Sequence, residues 1–365
     1  MRFKGLKFFI VKFILITFLY SCSDSEKAED DVVNNPAKPV NVYIGGIDGN
    51  SGVVWINNKK TIVSNSSPVF NKTVVNDIYV ENDDVYVSGY EFTANNNFVG
   101  RIWKNGLNFF VYNHTTTVGN YAYSPFFVKN GDAYYIYEDN HRSYSTLFKN
   151  YTEQALLDDE ILLSGYCTSI YENNNKTYAL VNGIGTSKYI AGHKTDLYLW
   201  ENGTLKLVAG GQQLSIGFDV FVKNNDVYIA GHEDGEGENW RDKAMIWKNG
   251  IPIALTNGSL KEGYGYAKKV FVDNNDVIHV IGEQIPKTNN FHRHRYWKNG
   301  VELNFVAPGS EVTFKSIKGI NNDIYIVGSE KNEKGITVAM VWKNGVGTAL
   351  TDGTADAVAT SVYVK

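Results

Sequence analysis

Trp240 and Arg241 stand side by side in a chain whose six other tryptophans all fall at one repeated position. A tryptophan outside the pattern is free to serve contact chemistry, and Trp and Arg are the residue types most enriched where partners touch. Tyr264, Tyr266, Phe291, His292 and Arg293 lie in the same or the adjacent repeat unit. Together the seven can make an aromatic and cationic platform, on which a sugar ring or a peptide packs against ring faces and guanidinium planes. The plainer role for Trp240 is to plug its own loop onto the rim.

Histidines 292 and 294 flank Arg293, and His193 and His232 occur in loops of the same class. Alternate residues of a strand share a face, which offers two metal ligands but no evident third, so neither metal nor cofactor is expected. Acids recur as Asp48, Glu91, Asp139, Glu233, Glu283 and Glu330 at the end of one strand in six of seven units. A site on a pseudo-symmetric scaffold is built from differing residues, so this recurrence reads as structural, with the carboxylates accepting from loop N–H groups. There is no Gly-x-Ser-x-Gly, Walker loop or His-Glu-x-x-His. "DGNSGVVW" (48–55) resembles the Asp box of sialidases, with Asn50 where its aspartate belongs. A pair of carboxylates for glycoside hydrolysis has no sequence signature of its own, because their separation is set by the fold.

The N-terminus places Arg2, Lys4, Lys7 and Lys12 ahead of a short apolar run, the layout of an export signal over residues 1–21. "LYSC" (19–22) resembles the lipobox of bacterial lipoproteins, which implies acylation of Cys22 and anchoring to a membrane. Residues 22–40, polar and acidic with two prolines, read as a flexible tether. Their serine and acid cluster looks like the export signal of surface lipoproteins of the Bacteroidota, implying an outer-membrane lipoprotein displayed outward, or else facing the periplasm. The net charge of −4 becomes about −8 without the four cations of the signal, which argues against a nucleic-acid partner. Cys167 is then the one remaining cysteine, a small apolar packing residue.

These residues must be positioned by a repeat. The motif aromatic recurs at Trp55, Trp103, Phe148, Trp200, Trp247, Trp297 and Trp342, at spacings of 48, 45, 52, 47, 50 and 45 residues. Upstream of each lies a strand-like run such as "DVYVSGYE" or "DVYIAGHE", preceded by another that ends in a turn such as "KNND". An apolar run follows each "WKNG", so every unit predicts four strands. Asn-Gly and Asn-Asp accept the positive φ of a type I′ hairpin turn. The tryptophan before the turn is placed to wedge between neighbouring sheets, burying an area on the order of 150–250 Å².

Units of this length predict an all-β, seven-bladed β-propeller over residues 41–365. The first unit lacks its first strand, and "ADAVATSVYVK" (355–365) supplies it, so one blade is shared by both ends of the domain. "LYLWENGTLKLVAGG" and "AMIWKNGIPIALTNG" resemble extracellular repeats of the HAF type, in which a Trp-x-Asn-Gly hairpin follows a strand. The resemblance spans the mature domain and implies secretion and a propeller; it carries no catalytic residues.

Turns joining strands one to two and three to four share one face and are uniformly tight. The two-to-three and four-to-one loops share the other face, and there length and chemistry vary, as in "DGEGENWRDK" and "QIPKTNNFHRH". The sequence therefore predicts a monomeric, lipid-anchored propeller binding a glycan, peptide or protein partner on its long-loop rim. A glycoside hydrolase or lyase on the same scaffold is the alternative, distinguished by channel acids of raised pKa. An envelope scaffold subunit is a third, distinguished by a broad apolar patch on the rim.

Overall fold

The computed structural model describes residues 39–365, apart from 64–69, 94–97, 117–124, 139–144, 155–161, 186–194, 212, 236–240, 260–261, 287–291 and 308. Cys22 and the signal and tether segments lie outside the described residues, as do Trp240, Phe291, Asp139 and His193. Among the described residues the secondary structure is entirely β: seven sheets of four antiparallel strands, arranged as the blades of a propeller.

Blade one joins the two ends of the domain. Ala357–Val364 is its innermost strand and pairs with Val42–Asp48, from Val42 opposite Val364 to Asp48 opposite Ala357. Ser51–Ile56 and Lys59–Ile62 complete it. Blades two to seven each take four consecutive strands, beginning with Phe70–Glu81, Phe126–Lys129, Leu162–Asn173, Ser215–Lys223, Tyr264–Val272 and Val312–Ile320. These first strands, with Ala357–Val364, pack side by side around the axis. Fourth strands lie at the circumference; Lys59–Ile62, Ile251–Ala254 and Val346–Ala349 are exposed throughout.

Each repeat tryptophan is buried against the preceding blade. Trp247 packs with Tyr178, Leu180 and Leu197 of blade four, and Trp103 with Tyr43 and Val54 of blade one. Trp55 and Trp103 have no exposed surface. In blade three Phe148 takes this place and stacks on Tyr135 at 5.6 Å.

The Trp-Lys-Asn-Gly turn does more than reverse the chain. Asn249 holds φ at 51° and Gly250 at 81°. The Asn249 Oδ1 accepts the Val227 N–H at 2.8 Å, its Nδ2 donates to Asp226 at 2.8 Å, and its own N–H donates to the Val227 carbonyl. Equivalent Oδ1 contacts occur in all seven blades, from Asn57, Asn105, Asn150, Asn202, Asn249, Asn299 and Asn344. The motif lysine pairs with the aspartate that opens strand two, as in Lys248–Asp226 at 3.0 Å, and lies over the tyrosine two residues on, Tyr228. Blade four swaps the signs, pairing Lys176 with Glu201 at 2.7 Å. A carboxylate, an amide and an ammonium thus form a fastener that ties strand two to the turn beyond strand three in blades two, three, four, five and seven, and the asparagine amide alone does so in blades one and six.

Among the described residues six innermost strands carry a β-bulge at one common position, where the extra residue is Asn76, Thr168, Phe218, Lys268, Lys315 or Thr360. Opposite the bulge stands a glycine in five blades, because a Cβ there would run into backbone: at Gly231 it would lie 2.0 Å from the Ile216 carbonyl oxygen.

Candidate functional site

The residue after each bulge points toward the axis: Asp77, Ser169, Asp219, Lys269, Ser316 and Ser361. Two of these acids and two lysines, Lys269 and Lys318, come from four different blades. Asp219 accepts from Ser169 at 3.2 Å, from Lys269 at 3.2 Å and from the Val270 N–H at 3.1 Å. Asp77 accepts from the Ser361 hydroxyl and from the Ile78 N–H. Burial pushes the Asp77 carboxyl above the usual range, and burial likewise lowers Lys318. Two residues further on, aromatic rings gather: Tyr79 meets Tyr363 at 5.4 Å, and Phe221 meets both Tyr171 at 5.3 Å and Phe271 at 5.2 Å, with the Lys318 ammonium 5.8 Å from the rings of Tyr171 and Phe221. This layer lies toward the tight-turn end of the channel, and the bulges lie toward the long-loop end.

At the long-loop end, blades five to seven depart from blades one and four. In blades four and one the bulged residue is a threonine that ties its strand to the next: Thr168 donates to the Gly217 carbonyl at 2.7 Å and Thr360 to the Val75 carbonyl at 2.9 Å. Blades five, six and seven place Phe218, Lys268 and Lys315 there instead. The Lys268 ammonium sits 3.8 Å from the Phe218 ring centre and 4.9 Å from that of Tyr266. His232 stacks on Phe218 at 5.3 Å and meets Tyr266 edge-on at 4.9 Å. Burial, reinforced by Lys268, lowers His232 to about 4, so its ring is neutral at pH 7.

Of the sequence-predicted platform, the structure brings Arg241 and Tyr264 together, guanidinium over ring at 4.8 Å. Tyr266, on the same side of its strand as Tyr264, joins the Lys268 cluster. His292 bonds Glu283 at 2.8 Å, and Arg293 is exposed at the start of its strand. Trp240 and Phe291 fall outside the described residues; Gly235 and Arg241 approach one another closely enough that a Cβ on Gly235 would lie 2.3 Å from the Arg241 carbonyl oxygen. The sequence reading missed Phe218, Lys268 and Lys315. Their signal was the residue pair ahead of the innermost strand's apolar stretch, where "FD", "KK" and "KS" stand in place of the "TS" of blades one and four.

One expectation is corrected. Asp48, Glu91, Glu233 and Glu330 share a register position, but Glu283 does not: Glu233 lies opposite Lys243, whereas in blade six Gln284 takes that place opposite Arg293. Val222 pairs with Val227 across its hairpin, while Val272 pairs with Ile278, one residue further on. That single extra residue, in a turn held by Asp273 accepting from the Asn275 and Val277 N–H groups, turns Glu283 to the other face of the sheet. There it meets Lys268 at 3.3 Å as well as His292. Burial works against ionisation of Glu283, but His292 and Lys268 outweigh it and hold the carboxyl below its usual range. Three of the in-register acids contact side chains of their own blades: Asp48 takes Lys60 at 2.7 Å, Glu91 takes Arg101, and Glu233 accepts from Ser215 at 3.2 Å.

Groups of differing chemistry therefore converge at one sector of the channel mouth: aromatic rings, two lysines, a neutral histidine, the Glu283 carboxylate shared by Lys268 and His292, and Asp242 at 3.7 Å from His232. Such a surface can bind; among the described residues no three His, Cys, Asp or Glu side chains gather as a metal site.

No protein-family model and no curated protein matches the sequence. Among solved structures, the chain is similar to AofleA from Arthrobotrys oligospora, with 13% identity, TM-score 0.39, and 73% of this chain and 88% of that one covered. The β-propeller domain of the Trilobed protease from Pyrococcus furiosus shares 9% identity at TM-score 0.42 over 77% of this chain and 99% of that one. An acylaminoacyl peptidase from Pyrococcus horikoshii shares 10% at TM-score 0.44 over 77% of this chain and 46% of the peptidase. The class is that of a seven-bladed β-propeller.

Proposed function

We propose that this chain is a lipid-anchored, HAF-type propeller of the bacterial cell envelope that binds a glycan, peptide or protein partner on its long-loop face, without catalysis. Cys22 carries the anchor, the acidic segment after it spaces the domain from an outer membrane of the Bacteroidota type, and the molecule acts as a monomer. The observation that carries the reading is the asymmetry of the channel mouth. Blades one and four use the bulge position to tie neighbouring strands together, whereas blades five to seven spend it on a half-buried phenylalanine and two lysines beside Tyr264, Tyr266 and Arg241. A pseudo-symmetric scaffold binds where it breaks its own symmetry, and half-exposed aromatic and cationic groups are the chemistry of contact.

Binding to glycan and peptide arrays by the chain from Pro39 onward, beside Trp240→Ala and Tyr264→Ala variants, tests this. Loss of signal in both variants is expected. Equal binding by all three proteins would remove the platform from the site.

One observation favours a second reading, a propeller glycoside hydrolase or lyase: burial raises Asp77 on the channel axis, as a general acid requires. Hydrolysis or elimination abolished by Asp77→Asn would establish it. An envelope scaffold draws no such support: among the described residues the exposed apolar side chains Leu107, Ile251, Val301 and Val346 begin fourth strands at the circumference.

A further inference from the structure

Cations crowd the mouth of the channel in this acidic chain. Lys268 and Lys315 occupy the same bulge position of adjacent innermost strands and repel one another, and both act on His294, which is neutral at pH 7 because burial lowers it to about 4. The His294 Nδ1 accepts the Phe314 N–H at 3.2 Å, which spends its lone pair within the fold. Glu283 is the acid that meets Lys268, and it divides its two oxygens between Lys268 and His292. At the lysine pair itself the carboxylate is Glu283, shared with His292, while Asp242, 3.7 Å from His232, and Asp234 face the histidine side of the cluster.

Lys268 is also held in place. Its ammonium rests over Phe218 and Tyr266 while its side chain keeps 37% exposure, so it is fixed by rings on one side and open on the other. Lys315 is exposed. A rigid cation beside half-buried ring faces suits a ligand that is itself charged at one atom group and apolar across a ring face, as a pyranose with a carboxyl group is. The slipped register of blade six supports the same point, since it is what brings Glu283 here to orient Lys268.

Resting on the binding reading above, we propose that Lys268 and Lys315, with His292 at their side and Phe218 and Tyr266 beneath, form an anion subsite that takes the carboxylate of a uronic acid residue, making the ligand an acidic glycan. The carboxylate relieves the lysine repulsion, and the sugar lies against the ring surface of half-buried Phe218 and Tyr266 that Lys268 and His232 leave uncovered. Neutral sugars forgo the first term, and acidic peptides forgo the second.

Calorimetry of the mature chain with oligogalacturonate, oligoguluronate, the carboxyl-reduced oligogalacturonate and oligo-aspartate tests the proposal. A uronate oligomer is expected to bind about tenfold or more tighter than the reduced one, equivalent to about 1.4 kcal/mol, and to weaken with salt. Lys268→Ala and Lys315→Ala are each expected to lose about tenfold, and Lys59→Ala, on an exposed fourth strand of blade one, to lose nothing. If Lys268→Ala fails to fold, the surface variant Lys315→Ala decides alone. The subsite falls, with rim binding intact, if the reduced oligomer binds as well as the uronates or if Lys315→Ala and a folded Lys268→Ala both bind as the parent does. Equal binding of oligo-aspartate overturns the glycan assignment. Absence of binding to both uronates overturns the proposal, and only the further absence of any array ligand would sink the binding reading with it.

Discussion

Replacing Asn249 separates the two things the Trp-Lys-Asn-Gly motif does. Its backbone sits at φ 51°, where an alanine costs about 1 kcal/mol and glycine nothing. Its side chain accepts the Val227 N–H and donates to Asp226, both at 2.8 Å, and each exposed bond contributes about 0.5–1 kcal/mol net. Asn249→Gly should therefore destabilise by about 1–2 kcal/mol through the lost bonds alone, and Asn249→Ala by about 2–3 kcal/mol. Asn249→Asp keeps the acceptor but sets a second carboxylate against Asp226, so it should fall between the parent and alanine near neutral pH and recover as the pair is protonated. Urea unfolding followed by tryptophan fluorescence measures all three. A glycine variant as stable as the parent would mean that the asparagine serves φ only. An alanine variant no worse than glycine would mean that φ is irrelevant and the fastener account of the turn is incomplete.

Two further outcomes follow from the same geometry. Gly231→Ala puts a Cβ 2.0 Å from the Ile216 carbonyl oxygen, a backbone atom with no rotamer to yield, so a loss of about 1–3 kcal/mol is expected by thermal unfolding, against none for an exposed position such as Lys59→Ala. His232 and His294 are held near 4 in the fold and return to ordinary values when unfolded, so the unfolded chain binds more protons between those values; stability should be full above about pH 6.5 and decline as pH falls toward 4, and a His232→Gln variant should show a shallower decline in the same titration.

Periodicity alone was enough to reveal the blade number, the tight hairpins and the shared blade, because aromatic wedges and Asn-Gly turns are local signals repeated at fixed spacing. The register Val42–Val364 to Asp48–Ala357 is that reading realised. The Lys–Asp–Tyr fastener was less visible, since it links residues some 20 positions apart and shows only as a covarying charge swap in blade four. Glu283 was misread because the repeat was aligned on its acid; aligned on the glycine facing the bulge, "VIGE" stands one residue out from "AGHE" and the slip is plain. The bulges themselves had no sequence mark beyond a residue pair that varies among the blades, and what Phe218, Lys268 and Lys315 share is a position in three neighbouring strands, which exists only once the ring closes.

The central claim is that the molecule works at the channel mouth over blades five to seven. Hydrogen exchange of the mature chain with and without a bound oligosaccharide or peptide from the arrays tests it most directly. Slowed exchange in Tyr264–Val272, Ile278–Ile285 and Val312–Ile320 is the predicted footprint. Protection confined to the tight turns at 223–226, 248–251 and 298–301, on the opposite face, would contradict it.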